Sequence, residues 1–268
     1  MTKVVVIGAT GRMGQRLVTQ VIQAKDLELV GAIDHEKSPM LGIDAGSVAG
    51  LQPCGVTVTT DVDAVTKNAD AVIDFSTGGV IENTKIAVAN GCTVTIGTTA
   101  LGDEGRDGLQ KIADNGAKLV FASNMSVGVN LLFHLTKQVS EMLDDEYDIE
   151  IVEMHHNQKL DSPSGTAVTL GERACEGRGV KYDEVIVHGR EGIVGKRPQG
   201  EIGMHGVRGG DVVGDHTVMF ATNGERLELT HKASSRDTFA KGALRSVRWL
   251  AKQSNTGLYD MQDVLNLR

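Results

Sequence analysis

Aromatic side chains are scarce in this chain: Phe, Trp and Tyr make up 3% of its 268 residues. So little ring surface leaves few platforms on which nucleobases could stack. Excess positive charge is missing as well. The formal net charge of −8 has the wrong sign for neutralising phosphates, so no nucleic-acid partner is expected. No stretch approaches the roughly 18 consecutive apolar residues that suggest a membrane span, so no membrane partner is expected. Met1 leads straight into a predicted strand, and no signal peptide is expected. Cysteine is confined to Cys54, Cys92 and Cys175, widely spaced and odd in number. That fits neither a disulfide framework nor a zinc pattern and is read as reduced thiols in a cytoplasmic protein.

Glycine, by contrast, is abundant. The 33 glycines are well above the average share of about 7%, which suits tight turns and close backbone approaches to a ligand. Hydrophobic residues at 40% and charged residues at 23% are ordinary for a soluble globular protein. The length has room for two modest domains.

The first half repeats a strand–turn–helix rhythm. Lys3 to Ile7 is a short β-branched run suited to a strand buried on both faces of a parallel sheet. Gly8-Ala9-Thr10-Gly11-Arg12-Met13-Gly14 follows, and Leu17, Val18, Val21 and Ile22 then show helical spacing over Arg16 to Ala24. A glycine triplet between strand and helix is the context of the dinucleotide fingerprint, here spaced GxxGxxG. Its glycines let pyrophosphate reach backbone N–H groups at a helix start. A plain strand–helix turn is the bland alternative. Leu27 to Ile33 reads as the second strand and ends at Asp34, where a carboxylate can accept hydrogen bonds from an adenosine ribose. Such a carboxylate favours NADH by repelling a 2′-phosphate, while His35, Lys37 and Arg12 partly offset the repulsion. Either NADH or NADPH therefore remains open.

Further strands are predicted at Ala71–Phe75, Thr93–Ile96 and Lys118–Ala122, and helices at Val80–Asn90 and residues 103–115. The strands end in small polar residues: Asp74-Phe75-Ser76-Thr77, Gly97-Thr98-Thr99, and Ser123-Asn124-Met125-Ser126. Ligands of open α/β sheets bind beyond the carboxyl ends of the strands, so these ends are candidate cofactor contacts.

After a long helix at Val127–Leu143 the pattern changes. Ile149–Met154, Glu184–Val187, Val212–Ala221 and Arg226–Thr230 alternate like half-buried strands, interrupted by one helix over Ser164–Gly177. Gly189–Gly210 reads as long loops. The expected fold is α/β: a Rossmann-like parallel-sheet domain plus a second α+β domain with a mixed, mostly antiparallel sheet. A final helix, Thr238–Lys252, is assigned back to the first domain. The dinucleotide-binding domain is thus expected over 1–126 and 237–268, and a substrate-binding and oligomerisation domain over 127–236.

The richest chemistry lies between Glu150 and Ala167, in Glu-Ile-Val-Glu-Met-His-His-Asn-Gln-Lys-Leu-Asp-Ser-Pro-Ser-Gly-Thr-Ala. Ser164 after Pro163 can cap a helix whose first turn holds Gly165 and Thr166, and N–H groups and the dipole at a helix start attract an anion. With no second phosphate-type glycine pattern, a carboxylate is the expected anion. Lys159 supplies a point charge or a proton, and His155 can exchange a proton near neutral pH. If residues 155–163 loop over the sheet edge, His155, His156, Lys159 and Thr166 can converge. No HExxH helix and no cysteine cluster accompany the His pair, so no metal is expected. His188, His205, His216 and His231 are read as structural.

Taken together, these motifs resemble the dihydrodipicolinate (4-hydroxy-tetrahydrodipicolinate) reductase family. The resemblance is carried by Val6–Gly14, Asp74-Phe-Ser76, Gly97-Thr-Thr99, Asn124–Asn130 and Glu153–Thr166. It continues through His188-Gly-Arg-Glu-Gly192, Gly214-Asp-His-Thr217 and Thr230–Arg236, covering nearly the whole chain. It implies NAD(P)H-dependent reduction of a cyclic dicarboxylate to tetrahydrodipicolinate in the diaminopimelate route to lysine. By motif, His155 is the proton donor or acceptor and Lys159 a second donor that also senses substrate charge. His156, Lys159, Gly165 and Thr166 bind substrate. Gly8, Ala9, Thr10, Gly11, Arg12, Met13, Asp34, Gly97, Thr98, Thr99, Ala122, Ser123, Asn124 and Met125 contact the cofactor. The resemblance also implies a cytoplasmic homotetramer joined through the second domain's sheet. Departures are Ala100 where the family commonly has glycine, no proline after Thr77, and His35 in place of a basic residue. Another two-domain dehydrogenase of a small acid, or an NAD(P)-sensing regulator without turnover, are the competing readings.

Overall fold

Val4, Val5 and Val6 are each fully buried, as a strand covered on both faces requires. They belong to β1 (Thr2–Ile7) of a computed structural model that describes residues 1–98 and 101–268. The chain then runs α1 (Arg12–Gln23), β2 (Leu27–Ile33), α2 (Ala45–Val48), β3 (Val58–Thr59), α3 (Val62–Thr66), β4 (Ala71–Asp74), α4 (Val80–Ala89), β5 (Thr93–Ile96), α5 (Gly102–Asp114) and β6 (Lys118–Phe121). It continues with α6 (Val127–Leu143), a 3-10 turn at Asp144–Glu146, β7 (Asp148–His155), α7 (Gly165–Arg178), α8 (Tyr182–Val185), β8 (Ile186–His188), β9 (Ile202–Arg208), β10 (Gly214–Thr222) and β11 (Glu225–Ala233). The last elements are α9 (Asp237–Leu250), β12 (Gly257–Tyr259) and α10 (Met261–Leu265).

Two compact units result: residues 1–127 with 236–266 and 268, and residues 128–235 with 267. The first holds a seven-stranded sheet in the order β12-β6-β5-β4-β1-β2-β3, with every pairing parallel. Alternation along β1 sends Val4 and Val6 into a core shared with Leu17 and Val21 of α1 and Leu244 and Val247 of α9. Val5 and Ile7 face a second core with Val62, Ala87 and Leu109 from α3, α4 and α5. Strand order reverses between β1 and β4, the switch point at which open α/β sheets bind ligands.

The second unit is built on a five-stranded sheet in the order β11-β10-β7-β9-β8. It is mixed: β10 pairs antiparallel with β11 and β7, while β9 pairs parallel with β7 and β8. One face buries Ile149, Ile151, Ile202, Met204, Val218 and Phe220 under Leu132 and Phe133 of α6 and Leu170 and Ala174 of α7.

Four local expectations are corrected. Gly189–Gly210 is not all loop, because β9 lies within it; Gly203 and Gly206 break the alternation that would have revealed a strand. A Cβ on Gly203 would overlap the Glu150 carboxyl group of the neighbouring strand, which lies across it. Glu184–Val187 divides between the end of α8 and the start of β8. The loop after His155 leaves a central strand, β7, rather than crossing the sheet edge. The first helix also starts earlier than its apolar spacing suggests, at Arg12, because Gly11 is its N-cap.

Candidate active site

In the first unit the glycine turn is shaped by close backbone approaches. Gly8 has φ of +79°, and a Cβ there would stand 3.1 Å from the backbone of Phe75 and Ser76. A Cβ on Gly14 would overlap the Gly8 carbonyl oxygen and lie 2.7 Å from the Ala9 Cα, so helix and turn pack as glycine alone permits. The turn is tied to the end of β2 by Asp34. Its Oδ2 accepts from the Thr10 N–H (2.8 Å) and hydroxyl (2.7 Å), and Oδ1 accepts from the His35 N–H (2.8 Å). Burial by itself raises the Asp34 pKa, but these donors outweigh it and hold the carboxyl below its ordinary range.

A cleft of about 760 Å³ opens at the switch point, lined by Gly8, Thr10, Gly11 and Asp34 on one side and by Phe75 to Gly79 on the other. Four of the predicted cofactor residues therefore share one cavity. Thr98 lines an adjacent cavity with Thr77 and donates its hydroxyl to the Ser76 carbonyl at 2.7 Å. Gly97 lies against the Phe75 ring. Ala9 is buried beneath the turn, and Arg12 and Met13 open α1. Ala122, Ser123, Asn124 and Met125 follow β6, two strands beyond β4. Of these, Ala122 and Met125 are buried in the core against α9. Thr99 lies outside the described residues. Asp74, at the head of the strand-end run Asp74-Phe75-Ser76-Thr77, is fully buried at the end of β4. Burial pushes its pKa up, while Ser76 and Asn83 hydrogen bonds pull against that.

The second unit gathers the His-His stretch around a carboxylate. β7 buries alternate residues, so Glu153 and His155 point to the same face as Ile149 and Ile151. The completely buried Glu153 accepts from His155 Nδ1 at 2.6 Å and from both Nη atoms of Arg208 at 2.8 Å. It also accepts from the Ser164 N–H at 3.1 Å. Burial raises its pKa, but His155 and Arg208 outweigh burial and bring it down to about 2. Ser164 caps α7, its Oγ accepting from the Ala167 N–H at 3.2 Å. Ser164 Oγ also lies 3.0 Å from His216 Nε2. His216 is 3% exposed and edge-on to His155, ring centroids 5.1 Å apart. Burial, reinforced by His155, drives its pKa down to about 3, so it is neutral. Its Nδ1 has no hydrogen-bond partner among the described residues.

His155 and the start of α7 are thus brought together, through Glu153 and His216. Gly165 and Thr166 form the first turn of α7, with Thr166 buried. His156 donates its N–H to the Val212 carbonyl (2.8 Å), and its Nδ1 accepts from the Gln158 N–H (3.2 Å). Lys159 is not a solitary point charge: Nζ pairs with Asp161 at 2.8 and 2.9 Å. Glu153, Arg208 and His216 were not singled out from sequence. Period-two alternation from His155 reaches Glu153, whereas Arg208 lies in the glycine-rich stretch Gly189–Gly210, where the glycines hide β9. Among the described residues no helix is long and apolar enough to cross a membrane, and no cluster of three or more His, Cys, Asp or Glu could hold a metal.

An all-parallel core in the order β3-β2-β1-β4-β5-β6, with a glycine turn at its switch point, defines a Rossmann-type nucleotide-binding protein with an appended mixed-sheet unit. Residues 2–125 match the family described as dihydrodipicolinate reductase, N-terminus, and residues 128–265 match its C-terminus. The chain belongs to the dihydrodipicolinate reductase family, the NAD(P)H-dependent reductases of the diaminopimelate route to lysine. It is 49% identical to the 4-hydroxy-tetrahydrodipicolinate reductase of Syntrophotalea carbinolica over 269 aligned residues, covering 100% of each chain. Identity to the enzyme of the same name from Polynucleobacter necessarius is 48%, over 99% of each. The dipicolinate-bound dihydrodipicolinate reductase of Paenisporosarcina sp. TG-14 superposes with a TM-score of 0.74, at 26% identity over 98% of each chain. Myo-inositol 2-dehydrogenase from Lactobacillus plantarum, 12% identical, shares the fold with a TM-score of 0.63 over 99% of this chain and 94% of its own.

Proposed function

We propose that this protein reduces 4-hydroxy-tetrahydrodipicolinate to tetrahydrodipicolinate, with His155 and Lys159 as its proton-handling residues. The observation that carries this reading is the joining of His155 to the N-terminus of α7 through one buried carboxylate, Glu153. An acid and an anion cradle are the two things a carboxylate-bearing ring needs when negative charge arrives on it.

The nucleotide, NADH or NADPH, supplies the hydride. Gly8, Thr10 and Gly11 present the turn that would hold its pyrophosphate, and Ala9, Arg12 and Met13 frame that turn. Gly97, Thr98, Thr99 and residues 122–125 are assigned to the same nucleotide from the strand ends. The ionised Asp34 lines the cleft and favours NADH, since a 2′-phosphate would meet its charge. On the substrate, the first turn of α7 at Gly165 and Thr166 receives one carboxylate, with His156 and Lys159 as further contacts. Lys159 would exchange its Asp161 partner for the substrate's charge. With His155 Nδ1 held by Glu153, Nε2 is the atom that delivers the proton. Water leaves from the hydroxylated carbon of the precursor. The face of the second sheet away from α7 carries half-exposed Val152, Met154, Thr217 and Met219, which supports a homotetramer joined through that sheet.

The test is turnover of the condensation product of pyruvate and aspartate semialdehyde by the purified protein, followed as nucleotide oxidation. His155→Ala and Lys159→Ala are expected to lose about 10²- to 10⁴-fold in kcat, the range of acid–base catalysis, with nucleotide affinity unchanged. Full turnover in both variants would refute the assignment.

A further inference from the structure

Glu153 is completely buried and uses both oxygens, so it is not a bystander of the sheet. Oε2 meets His155 Nδ1 at 2.6 Å and one Arg208 nitrogen at 2.8 Å, while Oε1 takes the other Arg208 nitrogen at 2.8 Å and the Ser164 N–H at 3.1 Å. One ionised group therefore ties together the ends of β7 and β9 and the cap of α7. We propose that Glu153, braced by Arg208, is the positioning residue of the reaction: it fixes His155 in the form that carries hydrogen on Nδ1 and exchanges its proton at Nε2. This rests on the reading of His155 as the acid.

Several further observations agree. Nε2 is turned toward Gly214, where a Cβ would stand 2.9 Å from it, so the absent side chain leaves room beside that atom. An ionised carboxylate at 2.6 Å can only accept, which forces the hydrogen onto Nδ1. The guanidinium of Arg208 grips both oxygens in a fork and keeps the carboxylate from rotating. Nearby, His216 from β10 lies edge-on to the imidazole and is neutral, His231 of β11 pairs in register with His216, and in the following loop Lys159 pairs with Asp161, whose carbonyl accepts from Arg208 at 2.7 Å. Glu153, bonded to the imidazole, and Arg208, bonded to the same carboxylate, are charges of opposite sign.

Opposite signs make the proposal testable in two directions. If His155 is the acid, activity falls as pH rises through its titration, giving a high-pH limb in kcat/KM. Glu153→Gln is expected to shift that limb downward by about one pH unit and to lower kcat at least about tenfold, with nucleotide affinity unchanged. Glu153→Asp, which keeps the charge, is expected to leave the limb in place. Arg208→Met, which leaves the charge of Glu153 without its counter-ion, is expected to move the limb upward. That variant reads the sign even if Glu153→Gln fails to fold. A Glu153→Gln enzyme with lower thermal stability but an unshifted limb would reduce Glu153 to a structural role and overturn the proposal, as would a limb unmoved in Arg208→Met. His155→Asn separates the two levels. A high-pH limb that survives in it, at near-full activity, would overturn the reading of His155 itself. Loss of activity in His155→Asn with an unshifted limb in Glu153→Gln would overturn only the positioning role.

Discussion

Gly242→Ala should destabilise the first unit although alanine is the better helix former. Residue 242 lies in the interior of α9, where replacing glycine by alanine ordinarily gains about 1 kcal/mol. Here the added Cβ would overlap the Met125 carbonyl oxygen and stand 2.7 Å from its carbonyl carbon. Both are backbone atoms, and Met125 is 1% exposed in a core shared with α9. Relief therefore requires the helix, or the segment after β6, to move by more than an ångström. Overpacking of this kind costs about 1–3 kcal/mol, and a backbone clash belongs at the upper end. The steric cost exceeds the gain in propensity, leaving a net loss of about 1–2 kcal/mol. Gly108→Ala in α5 is the control: its Cβ would meet only the flexible end of Ile81 at 3.0 Å, so most of the helix gain should survive. Urea denaturation of the full chain measures both. Because residues 122–125 are assigned to the nucleotide, Gly242→Ala should also weaken NADH binding several-fold by isothermal titration. A Gly242→Ala protein as stable as the parent, with unchanged NADH affinity, would refute the reasoning.

Two further outcomes are expected. The pKa of Glu150, whose carboxyl group is held by Arg190, Arg197 and His205, is raised by burial and lowered more by those partners, to about 2 from an ordinary 4.5. A folded-state value below the unfolded one stabilises above pH 4.5 and is lost as pH falls toward 2. The linkage amounts to roughly 3 kcal/mol, and urea midpoints of Glu150→Gln should lack that part of the acid slope. Asp34→Asn removes a charge that a 2′-phosphate would meet, so the ratio of NADH to NADPH affinity should fall by about tenfold in parallel titrations; an unchanged ratio would place the adenosine ribose elsewhere.

Much of the first unit is decided by short-range pattern. β1 stops at Gly8, whose positive φ turns the chain, β2 stops at Asp34, and period-two and 3.6-residue spacing assign their neighbours without knowledge of the partners. The glycine turn and the Pro163-Ser164-Gly165-Thr166 helix start are equally local, since the turn and the cap depend on residues within a few positions. Membership in the reductase family follows from the same contiguous motifs. What only the tertiary structure decided is who faces whom. Arg208 reaches Glu153 because β9, a strand interrupted by two glycines, pairs in parallel with β7 so that residue 206 lies opposite residue 153. His216 meets Ser164 across 52 positions, and Asp161 claims the charge of Lys159. Gly242 is small for the sake of Met125. Hydrophobic periodicity records which face of an element is buried. Register between distant strands, and the partner of a buried charge, are set by packing and desolvation that arise only when the layers close.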